Sequence, residues 1–141
     1  MNIKDIVNRI CNKYKTHNPY ELADYLGINI YYCELGTIRG FFVQRNRIKQ
    51  IFINHNLPEH LRKFVLAHEI AHSIMHPNEN TLFLQNTFFS TEKPEIEANK
   101  FAIELVMPDE DVMEHWEYTI YEWAMFYGLP TEVIELKFDK R

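Results

Sequence analysis

The segment 64–76, FVLAHEIAHSIMH, decides how this sequence is interpreted. It holds His68 and His72 four residues apart, with Glu69 directly after the first histidine. Residues at this spacing lie one above the other on the same face of an α-helix. Because most of the neighbouring side chains are apolar, the segment predicts a buried helix whose two imidazoles point toward one place.

Two histidines in this arrangement favour a zinc site. Neutral imidazole nitrogens are typical zinc ligands, and Glu69 stands where a carboxylate can take a proton from a water that the metal activates. The alternative is an ordinary amphipathic helix, since so short a pattern also arises by chance. In that case the buried imidazoles and carboxylate would need other partners, because an uncompensated buried charge is costly.

A catalytic zinc site usually has three protein ligands and one open position, so the hypothesis requires a further donor. The downstream candidates are His76, Glu79, Glu92, Glu95, Glu97 and His115. His76 lies one more turn along the helix, too far from a metal between the first two histidines, and we expect it at the helix end. Glu95 opens the next predicted helix and shares a face with Asn99, which could hydrogen-bond a ligand. This favours Glu95 as the third ligand, with Glu97 as the alternative.

The remaining sequence predicts an α+β fold. Three β-rich runs separated by short polar breaks predict a small three-stranded, mostly antiparallel sheet, read as a meander whose last two strands form a hairpin. Apolar spacing, N-caps and prolines predict helices before and after this sheet. The strands are expected at 28–33, 38–44 and 48–54, and the helices from residue 3, at 18–26, 56–76 and 95–106, and in two or three short pieces after 109.

Composition limits the possible classes of protein. The chain has 141 residues, a net charge of -5 and a pI near 5.8, which argues against a non-specific nucleic-acid binder. We expect one domain over 1–141, with no membrane span and no signal peptide, in the cytoplasm. Cys11 and Cys33 are expected to be reduced thiols. The aromatic residues of the C-terminal segment are expected to pack in the core: Trp116, Tyr118, Tyr121, Trp123, Phe126 and Tyr127.

A second motif completes the pattern. HEIAH, followed by PEIEANKFAIELVMP at 94–108, resembles the ImmA/IrrE family of small cytosolic zinc metallopeptidases. That family pairs the histidine motif with a later segment of the form E-x-[EQ]-A-[ND]-x-F-A and a Leu/Met-Pro ending. The matching positions are Glu95, Glu97, Ala98, Asn99, Phe101, Ala102, Met107 and Pro108.

The resemblance implies a site and a fold. It implies His68, His72 and Glu95 as Zn²⁺ ligands and Glu69 as general base. It also implies a zincin-like fold, in which the small antiparallel sheet packs on the active-site helix. The family-like core then spans 1–108, and 109–141 forms a helical, aromatic-rich C-terminal extension.

The resemblance also implies a substrate. Characterised members of the family cleave a helix-turn-helix repressor of a phage or mobile element, so we expect a protein substrate and no direct contact with nucleic acid. In zincins an edge strand commonly pairs with extended substrate, and 48–54 or 38–44 is expected to be that edge. The alternative is a non-catalytic regulator-binding module or toxin-antitoxin component, but Glu69 favours catalysis. The transition-state donor stays open among Tyr118, Tyr121, His115 and His76.

Overall fold

The predicted α+β class is confirmed. The computed structural model describes residues 2–79 and 81–139, and within them helices precede and follow three successive strands, as expected. The helices are α1 (Ile3–Tyr14), α2 (Pro19–Tyr25), α3 (Glu59–Met75), α4 (Lys93–Val106), α5 (Asp109–Glu114), α6 (Ile120–Tyr127) and α7 (Thr131–Lys137). The strands are β1 (Ile28–Cys33), β2 (Gly40–Arg45), β3 (Ile48–Asn54) and β4 (Leu82–Phe83), and a 3₁₀ helix covers Gln85–Phe89.

The strand order differs from the predicted meander. The order in the sheet is β1-β3-β2-β4, and β1 pairs with β3 in parallel. The predicted hairpin of β2 and β3 is confirmed, and its turn uses Asn46 and Arg47, both with positive φ. The strand β3 lies between β1 and β2, so the expectation that 48–54 is an edge is wrong. The strand β2 lies between β3 and β4, but β4 pairs only with Gly40 and Phe41, so 38–44 is covered only at its start. One edge is β1, and the other is the unpredicted two-residue strand β4.

The helix α3 packs directly on the sheet through apolar side chains. Ile51 and Ile53 are almost fully buried, as are the α3 residues from Phe64 to Ser73. Gly40 of β2 allows the close approach, because a Cβ atom there would lie 2.7 Å from Val65 Cγ1 and 2.9 Å from the Phe52 carbonyl oxygen. The small residue at this position therefore sets how closely α3 sits above the strands.

The helix α4 packs on α3, and the C-terminal helix α7 packs on α4. An ion pair joins these last two helices: Lys137 Nζ lies 2.5 Å from Glu104 Oε1, with both side chains buried. Lys137 also contacts Asp109 Oδ1 at 2.8 Å. The charged pair thus holds α7 against α4.

The aromatic residues of the C-terminal segment do not all enter the core. Trp123 is buried, and Tyr118 and Tyr127 pack partly against the core. Trp116 and Tyr121 are 79% and 74% exposed, so the prediction that they are core residues is wrong. Phe126 is also exposed. For Tyr121 and Phe126 the physical reason is that the short helix α6 carries apolar side chains around its circumference and can bury only one face. Trp116 lies in the turn between α5 and α6, outside either helix.

The structure also describes the two cysteines and the character of the helices. Cys11 lies in α1 and Cys33 in β1, and both are free thiols, as predicted. Within 2–79 and 81–139, no helix combines the length and the apolar character that crossing a bilayer requires.

Candidate metal centre

Two neighbouring helices bring three side chains to one point. His68 and His72 project from α3, and Glu95 projects from the first turn of α4. His68 Nε2 and His72 Nε2 lie 3.1 Å apart, and Glu95 Oε1 lies 3.1 Å from the first and 2.5 Å from the second. In the described part of the chain, these three residues are the one group of three or more His, Cys, Asp or Glu side chains close enough to share a metal ion.

A layer of other side chains holds the ring of His68. Its Nδ1 lies 2.8 Å from Asn99 Oδ1, and the amide nitrogen of Asn99 donates to the Thr87 carbonyl oxygen at 3.1 Å. The ring of Phe83, on β4, meets the His68 ring edge to face at 4.6 Å between centroids. Because Asn99 Oδ1 can only accept, the proton of His68 lies on Nδ1 and the lone pair on Nε2 faces His72 and Glu95.

Glu69 is buried beside this group without a partner. Its side chain is 1% exposed, and neither carboxylate oxygen has a hydrogen-bond partner among the described residues. Burial, together with the negative charge of Glu95, raises the pKa of Glu69 well above its ordinary value. An unpaired buried carboxylate is costly, so the site is arranged for a group that the protein itself does not supply.

The charges of the three converging groups are suited to a cation. Burial alone would raise the pKa of Glu95, but contacts with His68 and His72 outweigh burial and lower it to about 2. Burial lowers the pKa of His68, which favours the neutral imidazole. One carboxylate oxygen and two imidazole nitrogens form the donor set of many catalytic zinc sites. The residues present therefore fit a zinc ion.

The other candidates occupy different places. His76 and Glu97 contact each other, with Nε2 2.9 Å from Oε1, and neither belongs to the converging group. Glu79 and Glu92 line a surface cleft next to the site. His115 stacks on Tyr118 at 4.8 Å in a cluster with Trp123, and Tyr121 is exposed.

One polar residue near the site was missed from the sequence. The hydroxyl of Thr81 lies 3.4 Å from His72 Nε2. Thr81 belongs to a stretch without helical or strand periodicity, so nothing in the pattern separated it from neighbouring polar residues. It adds a hydroxyl next to the nitrogen of the second histidine.

A cleft leads from the surface to Glu95. Its volume is about 740 Å³, and a second cleft of about 700 Å³ adjoins it. Leu84, Asn86 and Phe89 line both. Leu84 is 37% exposed and Phe89 52% exposed, so a large apolar surface borders the approach to the converging residues.

Comparison with known proteins identifies the family. The model of peptidase family M78, described as an IrrE N-terminal-like domain, matches residues 23–139. An uncharacterized immunity region protein 2 of Bacillus phage phi105 is 45% identical over 139 residues, covering 96% of this chain and 88% of that protein. Metallopeptidase ImmA of Bacillus subtilis (strain 168) is 30% identical over 145 residues, covering 98% and 85%. The chain therefore belongs to the ImmA/IrrE family of metallopeptidases.

Proposed function

We propose that this protein is a zinc-dependent endopeptidase that cleaves a specific helix-turn-helix repressor of a phage or mobile element. The observation that carries the proposal is the convergence of His68 Nε2, His72 Nε2 and Glu95 Oε1 beside the unpaired carboxylate of Glu69. In this proposal the first three residues hold the metal and Glu69 is the general base. A closed structural site would use four protein ligands, whereas three leave one position open for chemistry.

The proposed ligands are held in place before the metal binds. Asn99 fixes the ring of His68 through its 2.8 Å contact, so that Nε2 presents its lone pair. Glu95 comes from a separate helix and closes the third side of the site. When bound, zinc supplies a Lewis acid that polarises the scissile carbonyl and lowers the pKa of water.

Glu69 performs the proton transfers in this proposal. Its carboxylate accepts a proton from the attacking water and then donates it to the nitrogen of the departing amine. Both of its oxygens are available, because neither is used in a hydrogen bond to the described part of the protein. The surrounding helix excludes bulk water from Glu69, since its neighbours from Phe64 to Ser73 are buried.

The cleft next to Glu95 is the proposed substrate site. Among the described residues no strand pairs with the outer edge of β4. Leu82 on this strand and Leu84 just after it line the cleft. An extended peptide could add to this edge through main-chain hydrogen bonds. Phe89 and Leu84 would then contact an apolar substrate side chain, which suggests preference for a large apolar residue near the cleaved bond.

The choice of a repressor rests on the relatives and on the family resemblance. One relative is named as a phage immunity region protein and another as a metallopeptidase. Both names are consistent with a peptidase that acts on phage immunity. We therefore infer a regulator in the cytoplasm as the substrate and no direct contact of this chain with DNA.

The test combines metal analysis with co-expression. Purified protein should contain about one zinc per chain, by the ligand count of a catalytic site. We expect a helix-turn-helix repressor to be encoded next to the gene. This repressor should disappear when it is co-expressed with the wild type and persist with Glu69→Gln, while this variant keeps its zinc. Glu114→Gln, at an exposed position of α5, is the control with the same change of charge and should cleave normally.

The outcomes separate the alternatives. Repressor cleavage by Glu69→Gln would overturn the assigned base. Repressor that is bound but left intact by wild-type protein holding zinc would favour the non-catalytic binding module instead. Absence of zinc from the purified protein, with no uptake after zinc is added, would overturn the metal site itself.

A further inference from the structure

His76, at the end of α3, contacts both His72 and Glu97. His76 Nδ1 lies 3.1 Å from His72 Nδ1, and His76 Nε2 lies 2.9 Å from Glu97 Oε1. The side chains of His76 and Glu97 are only 9% and 20% exposed. The contacts thus form a continuous chain that begins at the ring of a proposed metal ligand and ends at a carboxylate on α4.

The proton positions along this chain follow from the chemistry of the rings. Two nitrogens 3.1 Å apart share one proton, so one ring must donate and the other accept. If His72 donates from Nδ1, His76 accepts at Nδ1 and donates from Nε2 to the carboxylate of Glu97. This order gives each of the two contacts one donor and one acceptor. The reverse order would place the lone pair of His76 Nε2 against the Glu97 oxygen 2.9 Å away, so we favour the first order.

The favoured order has a consequence for the other nitrogen of His72. A neutral imidazole with its proton on Nδ1 carries a lone pair on Nε2. In His72 this atom faces His68 and Glu95. The contacts on one side of the ring therefore prepare the opposite side to bind a cation.

We propose that His76 and Glu97 are positioning residues, which fix the tautomer and orientation of His72 and thereby strengthen binding of the metal. This inference rests on the proposed zinc site. His68 is held in a comparable way by the neutral amide of Asn99, whereas the chain behind His72 ends in a carboxylate. A carboxylate behind a ligating histidine increases the basicity of the ligand. We therefore expect the contacts behind His72 to affect zinc affinity more than the contact behind His68.

The same contacts could instead serve only to join the end of α3 to the start of α4. The two roles predict different measurements. A purely structural tie would change the unfolding midpoint of the metal-free protein and leave the zinc affinity of the folded protein unchanged. A positioning role changes the affinity for zinc, and the effect of Glu97 requires that His76 is present to connect it with His72.

The experiment is a competition for Zn²⁺ between a chromogenic chelator and the full-length metal-free protein, after circular dichroism has established that each variant is folded. Outer contacts of this kind typically change metal affinity by about 10–100-fold, and we expect a loss in this range for His76→Phe. Glu97→Gln should lose less, because its amide can still accept from His76. Glu114→Gln, at an exposed position of α5 away from the cleft, is the control with the same change of charge and should bind zinc as the wild type does.

Two further variants make the test specific. His76→Asn places an amide oxygen close to the former Nδ1 and should recover most of the affinity lost in His76→Phe. The double variant His76→Phe/Glu97→Gln should bind zinc no more weakly than His76→Phe alone, because Glu97 acts through His76. The positioning role is wrong if the fold-losses of zinc affinity from His76→Phe and Glu97→Gln multiply in the double variant. It is also wrong if His76→Phe binds zinc like the wild type. If the wild type itself fails to bind zinc, the proposed function fails instead.

Discussion

Replacing Lys137 with methionine should destabilise the protein strongly. Lys137 Nζ lies 2.5 Å from Glu104 Oε1, and the two side chains are 4% and 1% exposed. Removal of one partner from a buried pair costs about 3–5 kcal/mol, because the other charge stays buried and uncompensated. Lys100 Nζ remains 3.7 Å from Glu104 Oε2, so we expect the lower end of this range.

Denaturation by urea, followed by circular dichroism, measures this loss. For a chain of this size, about 3 kcal/mol corresponds to a decrease of roughly 10 °C in the melting temperature. All samples should contain a chelator, because a metal bound only to the native state would add to the free energy of unfolding. The loss should appear as a lower midpoint with an unchanged slope.

The control removes a lysine from an exposed ion pair. Lys4 pairs with Asp109, but these side chains are 43% and 52% exposed, and Lys4→Met should cost less than about 1 kcal/mol. The double variant Lys137→Met/Glu104→Leu removes both buried charges and should regain much of the lost stability. A cost for Lys137→Met no larger than that for Lys4→Met would refute the reasoning.

Three further predictions concern the packing and the reactive side chains. Gly40→Ala should lower the free energy of unfolding by about 1–3 kcal/mol in urea titrations, because its Cβ would lie 2.7 Å from a side chain of α3; an unchanged midpoint would contradict the tight contact. Burial raises the pKa of the Cys11 thiol to about 11, so iodoacetamide at pH 8 should modify the half-buried Cys33 first. Peptide mass spectrometry measures the two modification rates, and equal rates would contradict the protection of Cys11. Acrylamide should quench the fluorescence of Trp116 strongly and that of Trp123 weakly, since they are 79% and 2% exposed; Trp-to-Phe variants of each separate the two signals.

The helices of the candidate site were predictable because their signals are local. The spacing of His68 and His72 and the apolar residues around them indicate one buried helix face, and this face is observed. The sequence also favoured Glu95 over Glu97, and in the structure Glu95 lies beside the histidines. These inferences needed only the helical repeat and a second motif. The roles of these residues as ligands remain our proposal.

The features that were not predictable depend on distant parts of the chain. The parallel pairing of β1 with β3 leaves no local mark, because a strand has the same alternation whichever neighbour it meets. The strand β4 has two residues, too few to show any period. The contact of His76 with Glu97 joins residues 21 positions apart, through the packing of two helices.

The proposed ligands lie before and after the residues that line the cleft. Substitutions that affect metal binding are therefore separated in the sequence from substitutions that affect the cleft. The metal-binding side chains stand on α3 and α4, whereas most residues that line the cleft belong to the connection between those helices, from Glu79 to Glu92. In the proposed peptidase, substitutions of Leu84 and Phe89 alter which peptides fit without touching the proposed ligands. A lineage of such peptidases could therefore follow a changing target sequence while its catalytic chemistry stays constant.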